Sequence, residues 1–241
     1  MSVQRLQKKI QEKKTPLALG LAAKMHVSET EKTGEMLYRE GLQVLDAAAE
    51  RLPAVYLCAA TYLRCGVEGF AALCRLADAA RDRGLYVIVD CHAGDSMAWL
   101  QGIPGADAVT VTPYLGGDSC KTPEGKTVFA AVRTAGVHSC DVQNLVAGDR
   151  RLYQAAAEQM VYQGAGLVIE TGYLLDIRDL RRRFEKAFLI VTHADAEAAS
   201  YAFDDYGHGA LVVDDAIQYA PDPAYAAQQA VKAMKEWVTV F

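Results

Sequence analysis

The sequence lacks the signals of several large classes of protein. No apolar run approaches the ~18–20 residues that cross a membrane, and the N-terminus has no apolar core of the kind that directs secretion. A net charge of −5 and the absence of a basic tract argue against nucleic-acid binding. The six cysteines form no Cys-x-x-Cys pair, so we expect reduced thiols in a cytoplasmic protein.

Short apolar runs and amphipathic segments alternate along the chain. The runs that predict strands cover residues 17–21, 54–59, 85–89, 108–112, 128–133, 166–169, 188–192 and 210–213. Helical patterns cover residues 36–49, 69–83, 153–162, 177–184, 196–203 and 223–238, and a short N-terminal helix is predicted at about residues 2–12. Residues 113–126 are rich in glycine and polar side chains, which predicts a loop.

This alternation predicts an α/β fold with a parallel sheet. Eight strand–helix units within 241 residues indicate one domain, residues 1–241, folded as a (β/α)8 TIM barrel. An open, doubly wound sheet is the structural alternative. Its dinucleotide-binding form is disfavoured because no Gly-x-Gly-x-x-Gly follows the first strand.

The third predicted strand runs directly into two carboxylates and an imidazole: Asp90, His92 and Asp95. Alternation along a strand places Asp90 and His92 on the same side, and Gly94 allows the chain to bend before Asp95. A buried strand ends in charged residues where that end faces water or a ligand. These three side chains are therefore the candidate catalytic group.

In a barrel of this kind, functional side chains lie at the C-terminal ends of the strands. Four of the five histidines follow predicted strand ends (His26, His92, His138 and His193), as do Lys24 and Asp195. The side chains that we expect to contact a substrate are Tyr56, Thr112, Tyr114, Arg133, Glu170, His193 and Asp214. Asp214 or its neighbour Asp215 could instead cap a helix.

Four segments, in the same order along the chain, resemble the orotidine 5′-phosphate decarboxylase family in its longer bacterial form. Residues 87–95 resemble the family signature Asp-x-Lys-x-x-Asp of the third strand, and residues 105–118 are similar to the fourth-strand segment. Residues 132–134 and 141–145 look like the fifth-strand segment, and residues 217–223 look like the last-strand segment. The resemblance implies a (β/α)8 barrel, a carbon–carbon lyase of pyrimidine nucleotide synthesis, no cofactor, a homodimer, and a nucleotide or another phosphorylated metabolite as ligand.

The same resemblance places unexpected residues at the family's reacting positions. Tyr56 stands where the family has its second-strand lysine, and His92 replaces the lysine of the third-strand signature. Ala22 and Ala216 stand near the family's first-strand aspartate and its phosphate-binding arginine. Only Asp90 and Asp95 of the catalytic array carry over. Standard decarboxylation is therefore predicted to be absent or strongly reduced.

Three functions remain open at this stage. The first is an enzyme with changed chemistry, in which Asp90, His92 and Asp95 hold a divalent metal such as Mg, Mn or Zn, or in which a protonated His92 donates a proton. The second is a non-catalytic homologue that acts as a binding or partner subunit. The third is ordinary orotidine 5′-phosphate decarboxylation despite the replacements.

Overall fold

Parallel strands form the centre of the structure and close into a barrel. The computed structural model describes residues 2–23, 33–170, 172–194, 196–203 and 208–238. The eight strands pair in the order β1-β8-β7-β6-β5-β4-β3-β2 and back to β1, which confirms the predicted (β/α)8 barrel. They are β1 Leu17–Leu21, β2 Ala54–Cys58, β3 Tyr86–Ala93, β4 Ala108–Val111, β5 Thr127–Arg133, β6 Gly166–Glu170, β7 Leu189–Thr192 and β8 Gly209–Val213.

Helices follow the strands and cover the outside of the barrel. They are α1 Ser2–Lys13, α2 Gly34–Ala48, α3 Ala59–Leu63, α4 Gly66–Asp82, α5 Ser96–Gly102, α6 Ser139–Gln143, α7 Leu152–Tyr162, α8 Leu174–Arg183, α9 Ala196–Ala202, α10 Asp215–Gln218 and α11 Pro223–Met234. The predicted loop contains two 3₁₀ turns, Pro113–Leu115 and Gly117–Cys120. None of the described helices is long and apolar enough to cross a bilayer.

The strands are buried on both faces, as their apolar runs require. One set of strand side chains, including Ile88 and Phe129, fills the barrel interior. The other set, including Val87 and Val89, packs against the surrounding helices. The interior is thus a packed core rather than a channel.

Helix α1 closes one end of the barrel. Leu6 and Ile10 are fully buried in the same cluster as the interior strand residues. The Ser2 hydroxyl lies 2.5 Å from the hydroxyl of Tyr86, the first residue of β3, and Arg5 pairs with Asp107 just before β4. Helix α1 therefore seals the barrel interior at its N-terminal end.

Strand β3 is longer than its apolar run predicts. The Thr110 hydroxyl accepts the backbone N–H groups of Cys91 and His92, each at 2.9 Å, and donates to Asp90 at 2.7 Å. The register against β4 shifts between Val89 and Ala93. A contact from the neighbouring strand therefore holds the polar end of β3 in place.

Candidate functional site

A cavity of about 260 Å3 opens where the strands end. Its wall includes residues from the ends of the first, second, third, fifth, sixth, seventh and eighth strands of the barrel. The titratable side chains at this wall are Tyr56, Cys58, Asp90, His92, Arg133, Glu170, His193, Asp214 and Asp215. We call this cavity and its wall the mouth.

The first polar centre of the mouth is the pair Asp90 and His92. His92 Nε2 lies 3.2 Å from Asp90 Oδ1, and the hydroxyls of Thr110 and Tyr56 also bond to this carboxylate. Burial acts to raise the pKa of Asp90, but the hydrogen bonds and charge of His92 outweigh it, so that the pKa falls. In return, the hydrogen bond to Asp90 raises the pKa of His92 against the opposing effect of burial.

A second pair of the same kind joins the ends of β7 and β8. His193 Nδ1 lies 2.6 Å from Asp214 Oδ2, and the hydrogen bond to this carboxylate raises the pKa of His193 despite partial burial. Burial acts to raise the pKa of Asp214, but His193 and the backbone N–H of Asp215 lower it overall. Gly20 leaves the necessary room, because a Cβ there would lie 2.6 Å from Asp214 Cβ.

Both histidines adopt a left-handed backbone conformation that side chains rarely take. The φ angle is +44° at His92 and +51° at His193. Such a conformation costs about 1–3 kcal/mol per residue, and residues of this kind cluster at functional sites. Strands β3 and β7 are four positions apart in an eight-stranded ring, so the two pairs stand on opposite walls of the mouth.

Glu170, the last residue of β6, lies within electrostatic reach of both pairs. It accepts the backbone N–H of Ala135, and its charge contributes to the raised pKa of both His92 and His193. It also contributes to the raised pKa of Tyr56, where burial is the largest cause and Asp90 the next. The mouth therefore combines two imidazole–carboxylate pairs with one further carboxylate.

Comparison with known proteins places this barrel in a family. No family model matches the chain. A curated orotidine 5′-phosphate decarboxylase of Caldicellulosiruptor saccharolyticus is 27% identical over 169 residues, which cover 61% of this chain and 55% of that protein. The enzyme of the same name from Halobacterium salinarum is 30% identical over 193 residues, which cover 70% of this chain and 72% of that protein. The chain belongs to the orotidine 5′-phosphate decarboxylase family.

The fold agrees with this assignment over almost the whole chain. The structure of Leishmania donovani OMP decarboxylase superposes with a TM-score of 0.84 and 25% sequence identity, covering 98% of each chain. The predicted family and the predicted barrel are thus confirmed.

Arg133 requires a correction, because it was expected to bind substrate. Its side chain is only 1% exposed, and its Nε lies 2.9 Å from Asp176 Oδ2. Its Nη1 donates to Gln143 Oε1 at 2.9 Å, and its guanidinium carbon lies 3.7 Å from the centre of the Tyr173 ring. The residue reaches the cavity wall, but its charge is already neutralised inside the protein.

Three other predicted residues lie away from the cavity wall. Asp95 is exposed and caps helix α5, accepting the backbone N–H of Ala98 at 3.1 Å. Thr112 and Tyr114 begin the loop after β4, where Tyr114 is 47% exposed. The sequence pattern identified the correct end of the barrel, but loop residues need not turn toward its centre.

The structure does not support the metal site predicted from Asp90, His92 and Asp95. Over the residues that the structure describes, no group of three or more His, Cys, Asp or Glu is arranged to hold a metal ion. Asp90 and His92 contact each other, whereas Asp95 is committed to its helix cap.

The remaining histidines and polar residues named from the sequence divide into two groups. His138 is 86% exposed at its side chain and pairs locally with Asp141 at 3.1 Å. Lys24, His26 and Asp195 lie outside the described residues.

One buried residue of the mouth was not predicted from the sequence. Gln218 is 2% exposed, accepts the N–H of Ala22 at 3.0 Å and donates to its carbonyl at 2.6 Å. The two bonds tie the end of β1 to helix α10. Nothing in the local pattern around Gln218 indicates this partner, which lies 196 residues earlier in the chain.

Proposed function

We propose that this family member binds a small molecule in the mouth and does not carry out the family's decarboxylation at a significant rate. The observation that carries the proposal is the environment of Asp90, which is occupied by His92, Tyr56 and Thr110. Neither a phenol nor an imidazole reproduces the permanent charge of the two lysines that the resemblance leads one to expect there.

The replacement of two lysines by Tyr56 and His92 removes positive charge from this wall at neutral pH. A lysine ammonium, with an ordinary pKa of ~10.4, is cationic at neutral pH, whereas imidazole titrates near ~6.5. Burial and the neighbouring Asp90 raise the pKa of Tyr56 well above its usual value, so its hydroxyl stays neutral and only donates a hydrogen bond. Among the described residues around Asp90, His92 is the one side chain that can carry a positive charge, and that charge faces Asp90.

The opposite wall is equally unsuited to a phosphate. Among the described residues that line the mouth, Arg133 is the sole lysine or arginine, and it is paired with Asp176. Asp214 and Asp215 occupy the region where the resemblance places a phosphate-binding arginine. These two carboxylates repel a phosphate group. Without a bound phosphate, the binding energy that lowers the barrier at the reacting carbon in the family is lost.

The proposal gives each of these residues a role. Asp90 favours the protonated form of His92, and His92 is the proton donor or acceptor toward a bound ligand. Tyr56, Glu170, His193 and Asp214 contact that ligand, while Asp95 serves the fold as a helix cap. We expect a cytoplasmic homodimer that needs no cofactor, as the family resemblance implies.

The test is a turnover assay of purified protein with orotidine 5′-monophosphate, run beside a relative such as the Halobacterium salinarum enzyme. We expect no turnover above the uncatalysed rate. The variant His92→Lys should also stay inactive, because Tyr56 and Ala216 remain. Turnover of the unmodified protein at the relative's rate would refute the proposal and establish ordinary decarboxylation.

A further inference from the structure

We infer that the mouth accepts a small organic cation, an amine or a guanidine, rather than a phosphate ester. The inference rests on the proposed function, because it requires that the mouth is a ligand site that has lost the family's chemistry. The cavity lies at the C-terminal end of the barrel, and the charged side chains at its wall determine which class of ligand it binds.

The balance of charge at the wall is negative. Asp90 with His92 and Asp214 with His193 are two pairs that are neutral when the imidazoles are protonated. Arg133 is balanced by Asp176 outside the cavity. Two carboxylates then remain without a compensating charge, Glu170 and Asp215, so the described wall carries a formal charge of about −2.

Glu170 is the carboxylate best placed to receive a cation. Among the described residues, no lysine or arginine pairs with it, and its one hydrogen bond in the structure comes from the backbone N–H of Ala135. A carboxylate accepts several hydrogen bonds, and a planar guanidinium can satisfy two of them at once. Its strand, β6, lies next to β7 and three positions from β3 around the ring.

The imidazoles do not make the mouth an anion site. Each lies within 3.2 Å of its own carboxylate, and an incoming anion would also face Glu170. The volume of about 260 Å3 is below the ~300–1,000 Å3 of sites for drug-sized ligands. A compact cation fits both the size and the charge.

The test is calorimetric binding with two probes of similar length and opposite charge, agmatine and glutarate, with inorganic phosphate as a third probe. We expect agmatine alone to bind at millimolar concentration or below. Glu170→Gln should weaken agmatine binding roughly tenfold or more, because a charged hydrogen bond is lost. Glu124→Gln makes the same charge change at an exposed position before β5, at the sealed end, and should leave binding unchanged.

Three results would overturn the inference: tighter binding of glutarate or phosphate, no binding of agmatine, or equal effects of the two substitutions. The decarboxylation assay on the same preparation separates this inference from the proposed function. An inactive protein that binds phosphate contradicts only the inference, whereas turnover at the relative's rate contradicts the proposed function itself.

Discussion

Replacement of Arg133 by methionine tests whether this arginine supports the fold or a ligand. The substitution keeps an apolar side chain of similar length and leaves Asp176 without its partner. Removing one member of a buried ion pair costs about 3–5 kcal/mol. Because Asp176 is 17% exposed, water reaches it, and we expect the lower end of that range, about 3 kcal/mol.

The assay is thermal unfolding followed by circular dichroism. A chain of this size loses about 2–4 °C in Tm per kcal/mol, so Arg133→Met should lower Tm by about 6–12 °C. Arg150→Met is the matched control, because Arg150 pairs with Asp149 and Glu158 at the surface and such pairs contribute about 0–1 kcal/mol.

A double variant sharpens the interpretation. Arg133→Met combined with Asp176→Leu removes the uncompensated charge and should recover most of the lost stability. The reasoning is refuted if Arg133→Met unfolds at the same temperature as the unmodified protein. It is also refuted if the variant stays stable but no longer binds ligands in the mouth, since the guanidinium would then be a ligand group.

Three further predictions concern the helix cap, the sealed end and the first polar centre. Asp95→Ala should lower the free energy of unfolding in urea by about 1 kcal/mol, because the N-cap of α5 is lost. Asp222→Ala should have the same effect at helix α11. Both variants should still bind agmatine. Leu6→Ala should cost about 2–5 kcal/mol in the same experiment, because it opens a cavity in the sealed end; a smaller loss would mean that α1 is only loosely docked. The pair Asp90 and His92 contributes stability that is lost as pH falls through the lowered pKa of Asp90 and as pH rises through the raised pKa of His92. The stability difference between the unmodified protein and Asp90→Asn should therefore peak in mildly acid solution and shrink above the raised pKa of His92; a difference that stays constant from acid to alkaline pH contradicts this account.

The barrel could be predicted from the sequence because its signals are local. Each strand is a continuous apolar run, and most predicted bounds agree with the structure to within a residue or two, as for β1 at Leu17–Leu21. The exception, β3, extends to Ala93 because of hydrogen bonds from Thr110 on the next strand. Helices of four or five residues, such as α3 and α10, are too short to show a helical period.

The mouth was only partly predictable, because its side chains are directed by distant partners. Asp90 and His92 could be found, since both follow a buried strand and alternate to the same side. Arg133 could not be interpreted correctly, because Asp176 lies 43 residues later in the chain. The role of Asp95 did leave a local signal, since an aspartate one residue before a short helix is a typical N-cap.

The seam between β1 and β8 joins the two ends of the sequence, with Leu17 beside Leu211. The two hydrogen bonds between the Gln218 side chain and the Ala22 backbone lie at this seam, at the rim of the mouth. The mouth therefore forms only when β8 pairs with β1, and neither half of the chain can form it alone. A ligand that binds only the closed barrel stabilises the whole barrel by mass action. Such a ligand should therefore protect α1, at the opposite end of the barrel, against proteolysis.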